Sequence, residues 1–99
     1  MQPRIKKIIA ILSFEIVCEW TNGETRSIDF YNLKEKLHTK MLDKILSANV
    51  FNTVKVDEVA KTLSWENQLL YFDYNGIQKM GALDFCPDVL YQNSVLIKK

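Results

Sequence analysis

The chain is poor in the residues that build metal sites and disulfides. Its 99 residues include a single histidine, His38, and two cysteines, Cys18 and Cys86. Their spacing matches no zinc-binding pattern, and no local motif supplies further ligands. In a reducing compartment the two cysteines stay as free thiols. We therefore expect no metal, no cofactor and no disulfide.

An excess of charge of either sign is also lacking. Thirteen basic and twelve acidic side chains give a net charge of +1, and the lysines alternate with carboxylates along the chain. Proteins that bind nucleic acids usually carry a strong basic excess or a basic face. The composition therefore disfavours DNA binding by this chain alone.

Long apolar runs are absent as well. None approaches the ~20 residues that a membrane span needs. Basic residues precede the apolar residues 8–12, as in a secretory signal, but Glu15 and Glu19 follow closely and no small-residue cleavage site comes after them. We expect no signal peptide, no membrane partner and a location in the cytoplasm.

What is present indicates one folded domain. Hydrophobic residues make up 47% of the chain and charged residues 25%, as in ordinary globular domains. A chain of this length buries about 60–65% of its unfolded surface, without room for a second core. We predict a single domain over residues 1–99.

The first third of the chain predicts strands. Residues 5–12 are rich in isoleucine, residues 14–20 alternate between apolar and polar, and residues 25–30 supply a partner strand. A two-residue Asn22-Gly23 turn would place Ile16 opposite Asp29. A three-residue turn ending in a left-handed glycine places Ile16 opposite Ile28, which keeps apolar with apolar. We predict the three-residue, bulged turn.

The middle of the chain predicts helix. Apolar residues recur at three- and four-residue steps over residues 32–46, with Asn32 as the N-cap. His38 and Thr39 lower helix propensity near the centre, so one helix and two short helices are equally supported.

The remaining segments predict two more hairpins and a closing helix. Residues 52–57 and 62–65 form the second hairpin, and residues 66–81 form a third around Asn75-Gly76. A short helix follows from Cys86 to Asn93, with Pro87 in its first turn. The predicted class is α+β: antiparallel β-hairpins, one or two short helices packed on one face, and a short C-terminal helix.

The hairpin at residues 66–81 is apolar on both of its faces. Its apolar residues are Leu69, Leu70, Tyr71, Phe72, Tyr74, Ile77 and Met80. A hairpin lying on one core needs only one apolar face, so either the second face packs on a partner or the chain's own helices cover the segment. The sequence supports both alternatives equally and makes these residues the candidate interaction surface.

Cys86 invites a chemical interpretation because the charge at a helix start makes a thiol more reactive. A nucleophile also needs a base, and no motif ties His38 to Cys86. A structural corner is therefore favoured over a reactive thiol. Asp84 and Asp88 bracket the helix start, where we expect Asp88 to stabilise the first turn and Asp84 to anchor the chain, rather than either binding metal.

Five short motifs occur in an order that resembles a known family. They are Pro3-Arg4-Ile5, Asn22-Gly23-Glu24, Val54-Lys55-Val56-Asp57, Thr62-Leu63-Ser64-Trp65 and Asp84-Phe85-Cys86-Pro87-Asp88-Val89-Leu90-Tyr91. The series resembles the bacterial family called domain of unknown function 2442, whose members run PRI, NGE, a valine-rich strand ending in Asp, a strand ending WPNG, and ADLDPDTLY. The resemblance covers nearly the whole chain. Its candidate motif residues are Trp65, Asp84, Cys86, Pro87, Asp88, Leu90 and Tyr91, of which Trp65, Leu90 and Tyr91 are predicted core anchors.

The chain departs from the family pattern at two places. The family's Trp-Pro-Asn-Gly turn is interrupted, because Trp65-Glu66-Asn67 is separated from the closing segment by residues 68–80. Cys86 stands where many members carry a capping aspartate.

What the resemblance implies about function is a binding role. The family has no established activity; some members are fused to helix-turn-helix modules, which this sequence lacks, and some are encoded beside another small protein in pairs reminiscent of toxin–antitoxin loci. We predict a non-enzymatic protein-interaction module that binds another small protein or itself as a homodimer, as one half of a two-gene regulatory pair. The alternatives are a small thiol-dependent enzyme or redox protein using Cys86, and an accessory domain of a DNA-binding regulator.

Overall fold

The protein is described by a computed structural model over residues 2–38 and 40–98. Its elements follow one another along the chain as strands interrupted by short helices. In order they are β1 (Ile5–Leu12), β2 (Glu15–Trp20), β3 (Thr25–Asp29), α1 (Phe30–Leu37), a 3₁₀ helix (Lys40–Lys44), α2 (Ala48–Phe51), β4 (Lys55–Asp57), β5 (Thr62–Phe72), β6 (Gln78–Asp84), α3 (Pro87–Gln92) and β7 (Val95–Lys98).

The strands form two sheets, which we call the first and the second sheet. The first has the order β1-β2-β3-β7 and the second the order β4-β5-β6. Each pair of neighbouring strands is antiparallel. The predicted α+β class is confirmed.

The turn between β2 and β3 has the predicted three-residue form. Gly23 has a φ of 87°, in the left-handed region that glycine enters without a steric cost. The N–H of Trp20 donates to the carbonyl of Glu24 at 2.8 Å, and the N–H of Gly23 donates to the carbonyl of Trp20 at 2.9 Å. Ile16 consequently lies opposite Ile28, as the apolar pairing predicts.

The helical region begins earlier than predicted, and Asn32 is not its N-cap. Asp29 caps α1, because its carboxylate accepts the N–H groups of Tyr31 at 3.0 Å and Asn32 at 3.2 Å. The last residue of β3 thus also starts the helix. Left-handed His38, with a φ of 50°, ends α1, and the 3₁₀ helix follows, so the two-helix alternative describes this region. Thr39 lies outside the described residues.

The second sheet differs from the predicted pair of separate hairpins. Residues 62–65 and 66–72, expected in separate hairpins, form the single eleven-residue strand β5 that pairs with both β4 and β6. The Asn75-Gly76 turn is confirmed, with Gly76 at a φ of 78° and its N–H donating to the carbonyl of Asp73 at 2.9 Å. The short elements α2 and β7 were not predicted, because neither is long enough to show a periodic pattern.

One hydrophobic core joins both sheets and the helices. Trp65 lies in it fully buried, with ring centroids 5.5 Å from Phe30, 6.0 Å from Phe51 and 5.9 Å from Phe85. Its indole N–H donates to the carbonyl of Phe51 at 3.1 Å. Leu90 of α3 is also fully buried, as expected of a core anchor. The core therefore ends near the buried Trp65–Leu83 pair of the second sheet.

Candidate interaction surface

The hairpin of residues 66–81, here called the distal hairpin, continues the second sheet beyond the core. Trp65 pairs with Leu83 inside the core, and the next regular pair is Leu69 with Gly81. Between them β5 bulges around Asn67, which has a left-handed φ of 61°. A bulge of this kind bends and twists a strand. From the bulge to the turn, most residues of both strands are exposed.

Opposed residues of an antiparallel pair share a face, so the pairing defines two faces of the distal hairpin. Leu70 pairs with Met80 and Phe72 with Gln78, which forms one face, here called the Phe72 face. Leu70, Phe72 and Met80 are each more than half exposed, with Phe72 at 66%. Large apolar side chains thus lie side by side in solvent.

The opposite face is apolar too, and here it is called the Tyr71 face. It carries the pairs Leu69 with Gly81 and Tyr71 with Lys79. A Cβ on Gly81 would lie 3.2 Å from Cε1 of Tyr71, so the tyrosine ring lies against the glycine. Only Leu69 of this face packs against the core. At the end of the hairpin, Ile77 is 56% exposed and Tyr74 98% exposed.

These exposures decide between the two alternatives left by the sequence. The helices do not cover the distal hairpin, since six of its seven candidate residues are exposed. The chain's own core takes only Leu69, which is half-buried. Both faces are therefore open to a partner.

Beyond Glu66, which pairs with Lys55 of β4, the distal hairpin carries almost no net charge. Asp73 and Lys79 are the only charged residues between positions 67 and 83. Their side chains approach within 3.8 Å, and the Asp73 carboxylate also accepts the N–H groups of Asn75 at 2.9 Å and Ile77 at 3.0 Å. The turn is thereby held in shape, and the apolar faces lie free of uncompensated charge.

The residues of the family-like motifs meet at a different place, around α3. Arg4 forms an ion pair with Asp88 at 2.8 Å, which joins the start of β1 to the start of α3. The Tyr91 hydroxyl donates to Glu24 at 2.7 Å and accepts from the Asn22 side chain at 3.3 Å. Motifs that are far apart in sequence thus form one cluster, here called the α3 anchor.

Sequence reasoning missed one member of the α3 anchor. The Arg26 guanidinium lies 4.3 Å from the centre of the Tyr91 ring, bonds Glu24 at 3.0 Å and donates to Ser94 Oγ at 2.5 Å. Arg26 pairs with the buried Cys18, so it lies on the core-facing side of β3. A charged side chain on the core-facing side of a strand requires polar partners. The position of Arg26 in the alternating pattern of this strand was therefore the sequence signal for such a cluster.

The structure changes or extends the roles predicted for Asp84, Asp88 and Tyr91. Asp84 lies opposite Ser64 and is exposed, and in the described part of the chain its side chain makes no hydrogen bond or ion pair, so the predicted anchoring role was wrong. Asp88 lies in the first turn of α3, as predicted, and its ion pair with Arg4 also connects it to the first sheet. Tyr91 is half-buried against the core, where it packs edge-on to Trp20 at 5.1 Å.

The Tyr91 hydroxyl is the main cause of a lowered pKa at Glu24, with further contributions from Asn22 and Arg26. A carboxylate with a lowered folded-state pKa adds stability above its unfolded value of 4.5, and that stability is lost as the pH falls through the folded value. We expect Tyr91→Phe to lower the Tm at pH 7. The difference from the wild type should narrow as the pH falls from 4.5 through the lowered folded-state pKa of Glu24, below which Glu24 is protonated in both proteins.

The measurement is a series of thermal unfolding curves from neutral to acidic pH. Tyr71→Phe is the matched control, because Tyr71 is exposed and its hydroxyl has no partner in the described chain. A Tyr91→Phe deficit that stays constant across the whole pH range would contradict the assignment to Glu24.

The cysteines lie in opposite environments. Cys18 is buried, and burial raises the pKa of its thiol to about 12. Cys86 is exposed at the N-cap of the six-residue helix α3, where its thiol makes no capping hydrogen bond, and Pro87 follows in the first turn as predicted. His38 borders a surface groove with Tyr31 and Lys34, which Cys86 does not line. The structure thus does not place the histidine and Cys86 in one site.

Among residues 2–38 and 40–98, no group of three or more His, Cys, Asp or Glu side chains is placed to hold a metal ion. No helix in these same ranges has both the length and the apolar character of a membrane span. Comparison of the sequence with family models finds no match. Searches of curated proteins and of solved structures find no match either.

Proposed function

We propose that this protein is a non-enzymatic interaction module of the bacterial cytoplasm, one half of a two-gene regulatory pair, and that it binds its partner through the distal hairpin. The observation that carries the proposal is the exposure of large apolar side chains on both faces of a hairpin that stands off the core. Soluble proteins rarely leave such surfaces bare unless they bind something.

The size of the surface supports this role. With ~150–250 Å² for a fully exposed aromatic side chain and somewhat less for an aliphatic one, the exposed residues of the distal hairpin present on the order of 700 Å². This area is summed over both faces and the turn, and it is comparable with the area of about 800 Å² that a standard interface takes from each partner. The composition, with two tyrosines, a phenylalanine and a methionine, is also typical of interfaces.

We further propose that the chain belongs to the domain of unknown function 2442 family and that the distal hairpin is an addition to it. The contacts of Arg4 with Asp88 and of Glu24 with Tyr91 support this, because they give the ordered motifs a common structural purpose. Residues 68–80 fall between Asn67 and Gly81, so the hairpin extends outward from the family's Trp-Pro-Asn-Gly turn.

The test is co-expression with the product of the adjacent gene. We expect the two proteins to purify together from the wild type. Replacing the Phe72 face, in the triple variant Leu70→Ser, Phe72→Ser and Met80→Ser, is expected to abolish that complex while the Tm changes little, because these side chains make few core contacts.

The matched control is Val59→Ser. Val59 is 94% exposed and lies in the turn between β4 and β5, away from the distal hairpin. The substitution therefore removes an exposed apolar side chain without changing the proposed surface. Two outcomes would overturn the proposal: a complex that survives the triple variant, and a wild type that binds neither the adjacent gene's product nor itself.

A further inference from the structure

Four strands lie at the edges of the two sheets in the described structure, and three of them are protected against pairing. β4 has three residues and β7 has four. β1 is longer, but its pairing with β2 carries two register shifts, and such irregularities twist an edge away from a neighbouring strand. Short strands and bulges are usual defences of a sheet edge.

The fourth edge strand, β6, lacks these defences. It has seven residues without proline, and its pairing with β5 is regular from Gln78 to Gly81 because the bulge lies in β5. Its only interior charge, Lys79, pairs with Asp73 of the same hairpin. β6 is also the strand that carries Met80 of the Phe72 face.

The outer edge of β6 offers unused backbone groups. The N–H of Asp73 donates to the carbonyl of Ile77 at 3.0 Å, and hydrogen-bonded and non-hydrogen-bonded pairs alternate from there along an antiparallel ladder. The N–H and C=O groups of Gln78, Met80 and Ala82 therefore face away from β5. No backbone hydrogen bond outside the β5–β6 ladder uses these three amides anywhere in the described chain.

We infer that two copies of this protein join through β6, antiparallel and related by a two-fold axis at Gly81, so that the two second sheets become one six-stranded sheet. This inference rests on the proposed binding role of the distal hairpin and names a second copy of the chain as the occupant of its open edge. Gly81 is the central residue of β6, so this register pairs the strand over its whole length.

The register is compatible with the side chains. It places Met80 opposite Ala82 of the second copy, Lys79 opposite Leu83, and Gln78 opposite Asp84. No like charges face each other, and like charges directly opposite one another are what destabilises a strand pair. At the axis two glycines meet, where the absence of side chains allows the close approach of a non-hydrogen-bonded pair. The near-neutral hairpin adds no repulsion between the copies.

The experiment measures the mass of the purified protein by sedimentation over a concentration series. We expect the wild type to shift from monomer to dimer. Ala82→Pro removes an outward N–H that β5 does not use, so the hairpin is retained while self-association weakens by at least about tenfold. Ala82→Ser, which keeps the N–H, is the matched control and is expected to dimerise like the wild type.

Amide hydrogen exchange of the wild type gives a second measurement that does not depend on a variant. The amides of Gln78, Met80 and Ala82 should exchange slowly in the dimer and quickly after dilution to monomer, whereas those of Lys79 and Gly81, bonded to β5, should stay slow in both. Equal behaviour of the two sets would overturn the inference.

Other outcomes separate this inference from the proposed function. One such outcome is a wild type that stays monomeric and still forms a complex with the adjacent gene's product through the Phe72 face. That result would overturn the inferred dimer and leave the proposed binding function standing. Dimerisation that resists Ala82→Pro but is lost in the triple variant also overturns the strand pairing, and indicates contact through the faces of the hairpin instead.

Discussion

Deleting residues 68–80 is expected to produce a folded protein that no longer binds a partner or a second copy. The deletion joins Asn67 directly to Gly81, and Asn-Gly is the preferred sequence for a two-residue hairpin turn. Asn67 already has the positive φ, 61°, that the first position of such a turn requires. Trp65 stays opposite Leu83, with Glu66 opposite Ala82, so the buried pair is preserved.

The expected cost of this deletion to stability is small, because Leu69 is the only residue of the removed segment that packs against the core. Losing a half-buried leucine costs about 1–2 kcal/mol at most, and the shorter loop offsets part of that. Circular dichroism and thermal unfolding measure the fold, and sedimentation and co-purification measure binding.

Two results would contradict this interpretation of the distal hairpin. A deletion variant that fails to unfold cooperatively would make the hairpin part of the fold rather than an addition to it. A variant that binds as well as the wild type would place the interaction surface elsewhere on the molecule.

Trp65→Ala is expected to have the largest effect on stability of any single change discussed for this protein. The substitution empties the site among Phe30, Phe51 and Phe85, and it leaves the Phe51 carbonyl without the indole N–H that it accepts at 3.1 Å. Truncating a buried aromatic residue costs about 3–5 kcal/mol, and a small domain has only about 5–15 kcal/mol of total stability.

Urea unfolding of Trp65→Ala measures this loss. The free energy of unfolding of Trp65→Phe should lie between those of Trp65→Ala and the wild type, because phenylalanine keeps an aromatic ring but lacks the indole N–H. Tyr74→Ala, at a side chain 98% exposed, is the surface control and should stay within about 0.5 kcal/mol of the wild type. A Trp65→Ala loss of about 1 kcal/mol or less would show that the contacts of Trp65 with Phe30, Phe51 and Phe85 contribute little to stability.

Much of the fold was predictable because the local sequence patterns favour the same strand pairing and turns that the tertiary structure contains. The Ile16–Ile28 register follows from apolar pairing, and the two Asn-Gly turns follow from the left-handed backbone that each glycine allows. The start of α1 was missed because Asp29 ends a strand and caps a helix at once. A pattern that changes its period at one residue does not show which element that residue belongs to.

The candidate site divides in the same way. The sequence alone determined that the distal hairpin is apolar on both faces, because strand alternation assigns each residue to a face. It did not determine whether anything covers those faces. That depends on where β5 leaves the core, and the bulge at Asn67 decides it, since it separates the buried Trp65 from the exposed residues that follow.

The α3 anchor and the open edge of β6 belong to the tertiary structure alone. Arg4 and Asp88, or Glu24 and Tyr91, are too far apart in sequence for any local pattern to join them. Which strand lies at an edge likewise depends on the order of strands in a sheet, which pairing over long distances establishes. The sequence determined elements, turns and faces through local chemistry, and the packing of distant segments decided which surfaces are buried and which are left exposed.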